Sequence, residues 1–84
     1  MTLPKEPVTM TVEQIDQLNR QLSTMRHDIN NQLSLVVAAV ELIRLKPHLA
    51  GQMMTTLNEQ PPKITASVAK FTGEFERAFG ITRQ

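Results

Sequence analysis

Chemistry has few places to start in this chain. It carries no cysteine, so thiol nucleophiles, disulfide staples and cysteine zinc sites are excluded together. Its histidines, His27 and His48, are too few and too separated in sequence to suggest a metal site. His48 follows Pro47 and has no acidic neighbour, which reads as a surface loop residue. His27 differs, because Asp28 follows it directly and Asn31 lies one helical turn on. A neutral imidazole offers a lone pair for nucleophilic work, and a carboxylate beside its other nitrogen fixes the tautomer. An amide one turn away can orient a water or an incoming phosphoryl oxygen. By spacing alone the plainer reading leads, since His, Asp and Asn are all ordinary on a solvated helix face.

These residues need an element to hold them, and the apolar pattern supplies one. Thr11-Val12-Glu13-Gln14 has the form of a capping box, in which the Thr11 hydroxyl accepts from the Gln14 backbone and the Gln14 side chain reaches back. Apolar residues then recur at Val12, Ile15, Leu18, Leu22, Met25, Ile29, Leu33, Val36, Val40 and Ile43. Steps of three and four predict one helix over about 11–46, roughly 50 Å long at a rise of about 1.5 Å per residue. Two consecutive steps of four, Met25 to Ile29 to Leu33, make a stutter beside His27 that locally unwinds a supercoil. On this heptad His27 falls on the solvent side, with Ser23, Thr24 and Asn31 as neighbours and Arg20 and Ser34 a heptad away on either side.

Pro47 and Gly51 predict a reversal over 47–51. A second helix is expected over about 52–79, with Leu49, Met53, Leu57, Ile64, Val68, Phe71, Phe75 and Phe79 in phase. Pro61-Pro62 interrupts it, and because Leu57 and Ile64 keep phase across the prolines, a kinked continuation is favoured over a third helix. Gly80 is a C-terminal stop, leaving 80–84 as a tail, and 1–10, with Pro4 and Pro7, reads as an extended lead-in. The fold class is therefore all-α: an antiparallel hairpin. From Leu33 to Leu45 the first helix is apolar almost all round, more than one partner helix can cover, so the hairpin is expected to dimerise into a four-helix bundle.

Met25-Arg26-His27-Asp28-Ile29-Asn30-Asn31-Gln32-Leu33 resembles the H-box of sensor histidine kinases, in its His-Asp-x-Asn-Asn variety. In that family the box lies on the first helix of a dimerisation and phosphotransfer hairpin, and the likeness extends in architecture over about residues 11–79. The resemblance implies that His27 is the phosphoacceptor. It makes Asp28 the acidic partner that polarises the imidazole, and Asn31 the residue that orients water or the phosphoryl group. It further implies a response-regulator receiver domain as partner, which would bring Mg²⁺ of its own; no cofactor is expected in this chain. The chain departs from the family in lacking any Gly-rich nucleotide loop, so self-phosphorylation from ATP is not expected of these residues. The proline that commonly follows the box is also missing, and Pro61-Pro62 has no counterpart in the family pattern.

If the reversal centres on 47–48, antiparallel pairing puts His27 across from about residue 67. Ala66 and Ser67 would then leave room for a partner helix, and Lys70 could counter phosphate charge. With Arg20, Thr24 and Ser34 these make the expected partner-binding set, beside an uncharged run from Asn30 to Val40. A net charge of +1 and only three aromatics, with no basic pattern around them, argue against nucleic acid. No apolar run approaches the roughly 20 residues that span a bilayer and no signal-peptide stretch is seen, so a cytoplasmic protein is expected. The competing reading is a helical dimerisation or adaptor module without chemistry.

Overall fold

The structure, a computed structural model, describes residues 2–81. Helix α1 spans Val12–Leu45, a 3-10 turn spans Pro47–Leu49, and helix α2 spans Ala50–Phe79. Among the described residues no strand is formed, and α1 and α2 pack antiparallel along their lengths. The capping box forms at the start of α1: Gln14 N donates to Thr11 Oγ1 at 3.1 Å, and Thr11 N donates to Gln14 Oε1 at 2.8 Å. Gly80 ends α2 with φ 65°, a left-handed conformation that costs a residue without Cβ least. Of the tail 80–84, residues 82–84 lie outside the described residues.

The reversal is tighter than the sequence predicts. Pro47 opens the 3-10 turn, where its missing N–H removes no bond, and Leu49 N donates to Lys46 O at 2.9 Å. The second helix therefore starts at Ala50 rather than at 52, and Gly51 sits inside its first turn rather than in the loop. The turn signal of Gly51 was overridden because three residues of 3-10 geometry suffice to reverse the chain. Past the reversal, α2 is one helix through Pro61 and Pro62.

The hairpin has almost no core of its own. Among the described residues only Ala39 (2% exposed) and Gln60 (1%) are buried. Leu18, Leu22, Met25, Ile29, Val36 and Ile43 are half-buried in the seam against α2, whereas Ile15, Leu33 and Val40 of the same periodic set remain exposed. The phenylalanine ladder is likewise no core stripe of the single hairpin: Phe75 is 40% exposed, though its ring meets that of Phe79 in a tilted contact with centres 4.6 Å apart. The molecule is a plate of 58 × 29 × 12 Å. Its radius of gyration is 18.1 Å, against about 12 Å for a compact domain of this length. It exposes 6518 Å², some 1,500 Å² more than the ~5,000 Å² of a compact monomer of equal mass.

At 100° per residue the exposed apolar side chains fall on definite flanks. Ile15, Leu33 and Val40 of α1 and Val68 and Phe75 of α2 share one broad side of the plate. Thr24 and Asp28 of α1 and Ser67, Lys70 and Glu74 of α2 share the other.

Candidate functional site

The seam register is marked by a long-range hydrogen bond in which Gln21 Nε2 donates to Glu74 Oε2 at 3.3 Å. That is the register a reversal at 47–48 demands, and by it Asp28 stands across from Ser67. Glu74 is held from its own helix as well, because Arg77 Nη1 donates to Oε2 at 2.8 Å.

His27 projects away from α2, its side chain 85% exposed. Asp28, with 49% of its side chain exposed, lies between that imidazole and the interhelical seam. Its Oδ1 is 3.7 Å from His27 Nδ1, close enough for charge contact but longer than a hydrogen bond. The carboxylate thus stands on the Nδ1 side of an imidazole open to solvent. Asn31 is exposed one turn further on, on the same side of α1.

Behind Asp28 the two helices part to leave a groove of about 280 Å³. Met25 and Phe71 floor it, and Arg20, Thr24, Asp28, Ser67, Lys70 and Glu74 rim it, with Gln17 and Gln21 at one end. Arg20 is tied to Asp16 at 2.9 Å on the solvent side. Four of the six residues expected to bind a partner, Arg20, Thr24, Ser67 and Lys70, thus converge on one feature. The other two do not: Ala66 is exposed outside the groove, and Ser34 borders a shallow hollow with Asn30, Leu33, Val37 and Glu41. Helical spacing explains the split, since Ala66 is turned 100° from Ser67, and Ser34 lies beyond His27 from the seam.

Sequence reasoning missed Gln21 and Glu74, which close the groove at the end away from the turn. The antiparallel register that pointed to Ser67 also pairs these two, so the signal was present. Toward the turn, Leu35 and Leu42 continue the Asp28 flank one and two heptads on, and are 40% and 37% exposed. Apolar surface thus adjoins the polar site on the same side of the plate.

Among the described residues no group of three or more His, Asp or Glu side chains is placed to hold a metal ion, and no helix is long and apolar enough to cross a membrane. No protein-family model, curated protein or solved structure matches this chain.

Proposed function

We propose that this chain is a histidine phosphotransfer module that exchanges a phosphoryl group between His27 and the aspartate of a response-regulator receiver domain, acting as a homodimer in the cytoplasm. The observation that carries the reading is an outward imidazole with a carboxylate on its Nδ1 side, within a His-Asp-x-Asn-Asn run on the first helix of an antiparallel hairpin. In the step from receiver to this chain, the Nε2–P bond forms as the acyl-phosphate O–P bond breaks. The aspartate carboxylate leaves with the bonding electrons, and Nδ1 keeps its proton against Asp28. Such transfer asks mainly for positioning and charge stabilisation, which a helix surface can supply to a partner that brings its own aspartate and Mg²⁺. Asn31 orients the phosphoryl oxygens, or a water when the outcome is hydrolysis. The exposed Leu35–Leu42 flank and the groove at Thr24, Ser67 and Lys70 offer the receiver a surface on both sides of His27.

The dimer is supported by the excess exposed area and by a face bearing Ile15, Leu33, Val40, Val68 and Phe75 that the single hairpin leaves open. A second hairpin on that face completes a four-helix bundle and leaves both His27 flanks outside.

The test is phosphoryl transfer from pre-phosphorylated receiver domains, read by intact mass. Acid-labile phosphate on the wild-type chain and none on His27→Ala is the expected result. Loss of receiver phosphate without labelled protein, abolished by Asn31→Ala, would assign a phosphatase role to the same site. A folded dimer that reacts with no receiver in a broad panel would overturn the reading in favour of a non-catalytic adaptor.

A further inference from the structure

Helix α2 is weakened over one short stretch, and every departure from regular helix bonding there is local. Thr55 Oγ1 donates back to Gly51 O at 3.4 Å and Thr56 Oγ1 to Gln52 O at 3.5 Å, side-chain bonds that compete with the helix ladder and bend it. Gln60 Nε2 donates back to Thr56 O at 2.8 Å. Pro61 and Pro62 follow with no N–H, so the carbonyls of Leu57 and Asn58 lose their donors from within the helix.

The layer these residues form is also polar where a seam is normally apolar. Gln60 is the most buried residue of the hairpin, yet its Oε1 has no hydrogen-bond partner. Across the seam and within one turn of the same level, Gln32 Oε1 is buried and unpartnered too. Two orphan acceptors and two undonated carbonyls therefore gather at one height of the fold. A straight, dry helix leaves the two buried amide oxygens unsatisfied, and a bend that admits water would satisfy them.

The position of this layer gives it a consequence. On the turn side lies Ala39, the buried apolar residue among those described, across from Thr56. On the far side lies the groove between Thr24 and Asp28 on α1 and Ser67, Lys70 and Glu74 on α2. We propose that Gln60-Pro61-Pro62 is a hinge about which residues 63–79 of α2 swing against α1, changing the width of the groove beside His27. The turn end, tied by the short 3-10 reversal, acts as the fixed base. The proposal is independent of the phosphotransfer reading, since it concerns the shape of the groove and not what reacts there.

The absence of cysteine makes the test clean, because introduced pairs take spin labels without competing sites. Asn19→Cys with Ala78→Cys reports across the swinging part, and Ala38→Cys with Glu59→Cys reports across the base. Each labelled chain is diluted into excess unlabelled chain, and the interspin distance distribution is measured by double electron–electron resonance. The Asn19–Ala78 distribution is expected to be at least twice as broad as the Ala38–Glu59 one. It should narrow to about the width of the base pair in Pro61→Ala/Pro62→Ala, or in Gln60→Met, which keeps the volume and removes the orphan acceptor. Equal widths for the two pairs in the parent chain would overturn the hinge. So would a broad Asn19–Ala78 distribution that narrows in neither variant.

Discussion

At the scale of single residues the candidate site turns on Asp28, which approaches His27 and rims the groove. In the proposed reaction its charge holds a proton on Nδ1 and steadies the imidazolium that forms as phosphorus is attacked. Replacing Asp28 with Asn keeps the shape and removes the charge. We expect the rate of phosphoryl transfer to fall about tenfold, equivalent to ~1.4 kcal/mol in the barrier, in rapid-quench assays with a fixed receiver. An unchanged rate would mean that the 3.7 Å approach is incidental. Lys70 makes no ion pair within the described residues, unlike Arg20, Arg44 and Arg77, and is the cation left available to a partner at the groove. Arg44, held above its ordinary pKa by its hydrogen bond with Glu41, stays charged throughout and lies far along α1 from His27.

At the scale of elements, the ends of α1 and the start of α2 are set by local rules that can be tested one at a time. The Thr11–Gln14 box satisfies backbone donors that α1 leaves open at its first turn. Thr11→Ala should lower unfolding free energy by about 1 kcal/mol, read from the urea midpoint at constant slope. Gly51 offers the opposite case. It lies in the helical first turn of α2, and a Cβ built there meets nothing within 4 Å. Gly51→Ala is expected to raise stability by about 0.5–1 kcal/mol, because the unfolded chain loses freedom and the helix gains a better former. Were Gly51 part of the loop, as its residue type suggests, the same change would do little or cost stability.

At the scale of the whole molecule, the proposed dimer rests on a hairpin with two buried residues among those described and an excess of exposed surface. The excess of about 1,500 Å² per chain compares with the roughly 800 Å² that each partner contributes to a standard interface. Sedimentation equilibrium is expected to return twice the chain mass. Leu33→Asp with Val40→Asp should shift it to the monomer, since a carboxylate on the apolar face must otherwise be desolvated in the bundle. Leu35→Asp is the control, because Leu35 lies on the Asp28 side of the plate and the dimer should survive it. Dissociation by Leu35→Asp instead would place the second copy on the side that carries the groove.

Much of this organisation was written locally. Thr11 and Gln14, the three-and-four spacing from Ile15 to Ile43, Pro47 and Gly80 each act over a few residues, so capping, helical period and termination are determined by sequence neighbours alone. The outward position of His27 follows from the same period. What required the tertiary structure was everything that depends on how wide a stripe one partner helix can cover. The periodic set reads as a single apolar seam, yet packing against α2 half-buries Leu18 and Met25 and leaves Ile15, Leu33 and Val40 open, because one helix shields only part of α1's circumference. The groove, with Glu74 and Gln21 closing it, and the buried amide of Gln60 beside two prolines are equally tertiary. They arise where two helices in a fixed register part or approach, a distance that no local spacing along either helix encodes.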